Sequence, residues 1–167
     1  SGLADFVPLA YFANSYILVS TDEGLTLFDQ HAAHERIMYE QFCARQKAKQ
    51  LTQQKLLVPV LIECSADEAV WMNTAGPFLT SLGFEIEKWS GGTFAIHACP
   101  PELKQQTLSS LVRDFMQESA LETPREKIMP DRMLKSLACK AAVKFGMPLT
   151  TLEQQNLLRD LQKTPNN

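Results

Sequence analysis

Asp29-Gln30-His31-Ala32-Ala33-His34-Glu35-Arg36-Ile37-Met38-Tyr39-Glu40 begins where a strand-like run, Leu25-Thr26-Leu27-Phe28, gives way to a helix-compatible one. Strands before the junction and a helix after it make the chain α+β. On a helix His31 and Glu35 share a face, because side chains four apart stand one above the other. Asp29, at the end of the preceding strand, reaches the same point from the side. Two carboxylates and an imidazole converging on one spot are a donor set for a divalent cation. A plainer reading stands beside that one. Asp suits a helix start, and Glu in the first turns favours the macrodipole.

Working outward, residues 6–12 are mostly apolar, Asn14-Ser15 is a turn signal, and Tyr16-Ile17-Leu18-Val19 is β-rich. Thr21-Asp22-Glu23-Gly24 is a hairpin turn with a glycine free to take positive φ, so residues 25–28 return antiparallel. The helix spans residues 30–47. Ala33, Ile37 and Ala44 lie on one side of its wheel, with Met38 and Phe42 opposite beside His31 and Glu35. Apolar residues on both sides predict a helix packed between layers.

The apolar run 56–62 suits a strand, and Pro59 favours an edge position. Ser65 and Glu68 form a capping-box pair opening a helix over 66–82, with a break expected near Gly76-Pro77 and a stop at Gly83. Residues 84–89 and 93–98, joined by Ser90-Gly91-Gly92, form a hairpin. Helices are predicted over 106–118 and 131–144. A last one, 152–162, is capped by Thr151 with Gln154. The breaks divide the chain into a unit built from both chain ends, residues 1–64 and 130–167, and an inserted middle subdomain, residues 65–129.

The chain has 167 residues, with 16 Lys and Arg against 19 Asp and Glu for a net charge of −3. That length supports one or two compact units. The acidic balance is unlike a stand-alone DNA-binding domain, since phosphate neutralisation needs clustered cations. The one basic stretch, with Arg45, Lys47, Lys49 and Lys55, reads as a solvated helix end. Cys43, Cys64, Cys99 and Cys139 lie far apart, so neither a disulfide framework nor a zinc ribbon is expected. No apolar run approaches a membrane span and no signal peptide is visible, so no membrane partner and a cytoplasmic location are expected.

The opening run resembles the DQHA-x-x-E-x-x-x-x-E signature of the nicking MutL proteins of DNA mismatch repair. Asp29, Gln30, His31, Ala32, Glu35 and Glu40 occupy all of its fixed positions. The resemblance implies the C-terminal domain of such a protein: a dimerisation subdomain with an inserted outer one, mixed or antiparallel sheets with helices, and metal-dependent nicking of duplex DNA. Asp29, His31 and Glu35 then carry the catalysis and bind the metal. Leu137-Ala138-Cys139-Lys140-Ala141 resembles the family's ACR or ACK motif, which makes Cys139 a further candidate ligand. By itself Cys139 reads as a small buried residue of an amphipathic helix. Zn²⁺ suits the His and thiolate donors and Mn²⁺ or Mg²⁺ the carboxylates, so both remain open. Glu40 lies half a turn out of phase with His31, so an ion pair with Arg36 is expected instead. His34 is a lesser candidate, and His97, in a strand pattern, reads as structural.

Gln54-Lys55-Leu56-Leu57-Val58-Pro59 has the Q-x-x-L-x-P form of peptides that dock on the bacterial sliding clamp. Gln54 would supply amide hydrogen bonds while Leu57 and Pro59 enter an apolar pocket; the competing reading puts Leu57 in the core. Docking on a ring already on DNA would answer the charge problem. The implied partners are a second copy of the chain, DNA, the sliding clamp and other mismatch repair proteins. Nicking members also carry a C-P-H-G-R-P segment whose Cys and His complete the metal site. The residues given end at Thr164-Pro165-Asn166-Asn167 without it, so an ion held by these residues alone is expected to be weakly bound. That departure favours the alternative, a non-catalytic dimerisation and clamp-binding module. An unrelated small metallohydrolase is a third reading, which a large apolar interface between two copies would count against.

Overall fold

The computed structural model describes residues 6–120, 130–142 and 147–165. The fold is α+β, with five α-helices and two three-stranded antiparallel sheets among those residues. The chain divides into two compact units, Ser1–Gln41 with Ala142–Asn167, and Phe42–Ala141. The sequence reading instead sets the edges of the inserted part at 64/65 and 129/130.

The first unit holds β1 (Pro8–Phe12), β2 (Tyr16–Thr21) and β3 (Gly24–Asp29), in sheet order β1-β2-β3. The β1–β2 turn centres on Ala13 and Asn14, with φ of 52° and 47°, and Ser15 N–H donates to Phe12 O at 3.2 Å. Positive φ at both central residues matches the strand twist, and Asn tolerates it better than Ala. Strand alternation then sorts the side chains. Ile17 and Val19 of the central strand are fully buried on one face. On the other, Leu18 is flanked by Ala10 and Leu27, and Tyr16 by Phe12. Leu25 and Leu27 of that outer face are 70% and 51% exposed, and Phe12 is 46% exposed.

β3 runs directly into α1 (Gln30–Lys47), whose residues to Gln41 belong to this unit. Ala33, Ile37, Met38 and Phe42 are its buried apolar positions, whereas Ala44 is exposed. The apolar side predicted for Ala33, Ile37 and Ala44 therefore ends before the last turn of the helix, while Met38 and Phe42 are buried as expected. α5 (Thr151–Lys163) begins one residue before its expected start and uses a different cap. Thr150 Oγ1 accepts from Glu153 N–H at 3.3 Å, and Thr150 N–H donates to Glu153 Oε2 at 2.7 Å. The acidic Glu153 outcompetes Gln154 for the capping-box role because its carboxylate is the stronger acceptor. Gln154 is instead buried, donating to Leu149 O.

The second unit contains β4 (Gln54–Glu63), α2 (Ala66–Ser81), β5 (Glu85–Lys88), β6 (Thr93–Cys99), α3 (Leu108–Ala120) and α4 (Pro130–Ala141). Its sheet order is β4-β6-β5, which puts Pro59 on an edge strand as expected. Phe84, Phe94, Ile96, Leu111, Phe115 and Leu137 are at its core. The Ser65–Glu68 capping box forms, but α2 continues through Pro77 rather than breaking there. Part of the segment predicted as 131–144 lies outside the described residues.

Gly83 ends α2 in a Schellman arrangement: Phe84 N–H reaches Leu79 O at 3.1 Å and Gly83 N–H reaches Thr80 O at 3.0 Å. Its φ is 105°, and a Cβ placed there would lie 2.5 Å from Thr52 O. Gly83→Ala therefore combines left-handed strain with a backbone collision. It is expected to destabilise the protein by about 1–3 kcal/mol, read as a lower urea midpoint. Ala at Gly76, where a Cβ meets nothing within 4 Å, is the contrasting substitution.

Candidate functional site

The β3–α1 junction leaves the first N–H groups of α1 without helical partners. Asp29 Oδ1 accepts from His31 N–H at 2.9 Å and Ala32 N–H at 3.1 Å. One carboxylate oxygen of Asp29 is thus committed to starting the helix. This is the plainer of the two roles open to it from the sequence.

His31 and Glu35 meet as their spacing requires, with Nε2 and Oε2 3.4 Å apart and both side chains half-exposed. Donor–metal bonds of about 2.0–2.1 Å at a tetrahedral angle separate two ligand atoms by roughly 3.4 Å. The pair therefore fits a shared ion without rearrangement, and fits an ordinary i,i+4 hydrogen bond equally well. Burial, and then the neighbouring His31, lower the pKa of His34. Both effects disfavour its imidazolium and keep the ring neutral at neutral pH.

Glu40 pairs with Arg36 at 3.3 Å, the ion pair expected from the helix phase. Arg36 Nη2 also donates to Pro165 O at 2.7 Å, a tie between α1 and the end of the described chain that no motif announces. The sequence reading names Gln30 as a fixed position of the signature but gives it no role. It is 1% exposed, accepts from the Tyr11 hydroxyl at 2.5 Å and donates to Met147 O at 2.7 Å. Its fixed place between two candidate ligands is the signal of it in the sequence.

Cys139 lies in the second unit, on the exposed side of α4, while Leu137 and Ala138 point into that unit's core. The buried-cysteine reading therefore fails, because the helix phase turns the thiol outward. Lys140 pairs with Asp114 at 3.5 Å. His97 is bonded to Glu87 at 2.8 Å, the structural role anticipated for it. The Trp89 indole N–H and His97 hold the Glu87 carboxyl below its usual range.

The docking motif occupies a distorted part of β4. Lys55 faces Ala98 and Val60 faces Ile96, so residues 56–59 fill an interval that His97 alone fills on β6. The surplus arches out of the sheet. Leu57 is fully exposed and Val58 is 65% exposed, which excludes the core reading of Leu57. Gln54 Nε2 donates inward to Leu103 O at 2.9 Å, so its amide anchors the strand beside the arch. The basic stretch is likewise partly internal, since Arg45 pairs with Glu102 and lies over the Phe42 ring. Among the described residues no helix is long and apolar enough to cross a membrane.

Residues 9–149 match the family described as the MutL C terminal dimerisation domain. The chain is similar to the DNA mismatch repair protein MutL of Syntrophobacter fumaroxidans, at 36% identity over 167 residues, 97% of this chain and 24% of that protein. It is 32% identical to MutL of Koribacter versatilis over 166 residues, covering 97% of this chain and 25% of that protein. With MutL of Coxiella burnetii it shares 33% identity over 158 residues, 93% of this chain and 28% of the relative. The chain thus spans about a quarter of the length of the curated relatives it matches.

Proposed function

The chain belongs to the MutL C terminal dimerisation domain family, and on that footing we propose that it joins two copies of its parent protein through the outer face of β1–β2–β3. The observation carrying this reading is that face itself: Ala10, Phe12, Tyr16, Leu18, Leu25 and Leu27 share it, and the large side chains of Phe12, Leu25 and Leu27 are open to water. A contiguous apolar patch of that kind marks an interaction surface. Sedimentation equilibrium tests the pairing directly. A chain that stays monomeric at tens of micromolar would refute it.

The finer reading adds metal-dependent nicking of duplex DNA during mismatch repair, in the cytoplasm. His31 and Glu35, at a separation suited to one ion, support it. Asp29 would add a carboxylate oxygen, with its helix-capping bonds fixing the group's orientation as outer partners of ligands commonly do. A divalent ion, Zn²⁺ or Mn²⁺ and Mg²⁺, supplies polarisation of a phosphate oxygen and a lower pKa for the attacking water. The chain's own residues hold that charge and bring the carboxylates close enough to take up a proton. Conversion of supercoiled plasmid in Mn²⁺ is the assay, run on this chain and on a form carrying the C-P-H-G-R-P segment. Equal nicking by the Asp29→Asn form would remove the proposal.

Docking on the sliding clamp is favoured by the exposed arch. A ring threaded on DNA would bring substrate to a chain whose net charge is −3, and other mismatch repair proteins would meet it on the same DNA. Leu57 is expected to act as the anchor, with Pro59 beside it. Leu57→Ala should weaken clamp affinity by about tenfold to a hundredfold, measured by surface plasmon resonance, while the unfolding midpoint stays unchanged because the side chain packs against water. An unaltered affinity would dismiss the arch as a docking element.

A further inference from the structure

The first unit contains a closed cycle of hydrogen bonds that the metal reading does not use. The Tyr11 hydroxyl donates to Gln30 Oε1 at 2.5 Å. Gln30 Nε2 donates to Met147 O at 2.7 Å, and Leu149 N–H donates back to the Tyr11 oxygen at 3.0 Å. The backbone at Gln30 is fixed as well, since its N–H donates to the O of fully buried Ser15 at 2.8 Å. Gln30 therefore joins the β1–β2 turn, strand β1 and the residues leading into α5, through both its main chain and its side chain.

The location of this cycle gives it consequence. Gln30 is the first residue of α1, directly between Asp29 and His31. A helix start is ordinarily the part that frays, because its N–H groups lack helical acceptors. A buried glutamine with both amide atoms engaged opposes that fraying, since releasing it leaves polar groups unsatisfied away from water. We propose that Tyr11 and Gln30 form a latch that positions His31 and the Asp29 cap for metal binding, with the 147–149 segment as its third member. The proposal rests on the metal reading above for its functional part. Its structural part, a locked first turn of α1, stands by itself. Tyr11 and Gln30 are positioning residues, not ligands, because their polar atoms are occupied by each other and by the 147–149 backbone.

The test compares Tyr11→Phe and Gln30→Met with Val19→Ala, a truncation at a fully buried core position of the same unit. Each variant is measured for thermal midpoint, Mn²⁺ affinity by titration with the ion alone, and amide exchange at residues 31–33. The latch variants are expected to lose about tenfold or more in Mn²⁺ affinity, as outer partners of metal ligands do. Their first-turn amides should exchange at least about tenfold faster, while those of β2 keep their protection. Val19→Ala should lower the midpoint as much without selective change at the helix start or in affinity. Unchanged exchange at residues 31–33 in Tyr11→Phe overturns the latch, as does a Val19→Ala variant that reproduces both effects. If the unsubstituted chain binds no Mn²⁺, the metal reading falls, and the exchange pattern alone decides the positioning claim.

Discussion

Leu27→Glu is expected to leave the chain monomeric at concentrations where the unsubstituted protein is fully paired. Leu27 lies opposite Leu18 at the middle of the outer sheet face and is half-exposed in the single chain. Burying such a side chain at an interface contributes about 1.5–3 kcal/mol, and the substitution forfeits that contribution. It also places a carboxylate where apolar groups surround it, at a further cost of several kcal/mol unless it protonates. In a two-fold dimer each substitution occurs twice. A loss of about 6 kcal/mol or more follows, roughly four orders of magnitude in dissociation constant. Sedimentation equilibrium across a dilution series reads it. Circular dichroism checks that the monomer remains folded, as expected for a residue whose side chain already meets water. A dimer that survives the change would place the interface elsewhere.

Removing one of the α1 donors should have the second large effect. His31→Ala takes away the only nitrogen donor of the proposed site and leaves Glu35 without its 3.4 Å neighbour. Outer partners of a metal site cost about 10–100-fold in affinity or activity, and a direct ligand should exceed that range. Mn²⁺-dependent plasmid nicking is therefore expected to fall by about a thousandfold or more, with titrated Mn²⁺ affinity falling in parallel. The i,i+4 contact itself contributes only a few tenths of a kcal/mol to the helix, so the thermal midpoint should barely move. Asp29→Asn differs in kind. It preserves a side-chain oxygen for capping His31 and Ala32 while removing the charge, so stability and metal binding separate. If His31→Ala nicks at the unsubstituted rate, His31 and Glu35 are an ordinary helix-surface pair.

Much of the fold was legible because local signals agreed with one another. The hairpin into α1 follows from β-rich runs separated by Gly24 and the abrupt change at Asp29. The Ser65–Glu68 box and the Gly83 stop fix both ends of α2 from single residues. Where the reading slipped, the competing signal lay close by. Thr150 and Thr151 are both cap formers, and only the partner three residues on, Glu153 or Gln154, separates them. Pro77 looked like a break because ring and missing N–H oppose a helix, yet tertiary packing keeps α2 continuous.

Of the candidate site, the His31–Glu35 contact was legible since it depends only on helix pitch. The partners of Gln30 were not. They come from Tyr11 and from residues 147–149, more than a hundred positions apart in sequence, and no periodicity encodes such a meeting. Exposure of Leu57 was legible only through the docking motif, because the unbroken apolar run by itself gives no hint that the ladder skips four residues.

That skipped stretch has a consequence for solubility. β4 is a ten-residue, largely aliphatic strand on the rim of its sheet, the sort of border that recruits another chain into a growing fibril. The bulging segment and its proline deny any incoming strand a continuous row of bonding groups, so the same irregularity that displays Leu57 keeps molecules from zipping together side by side.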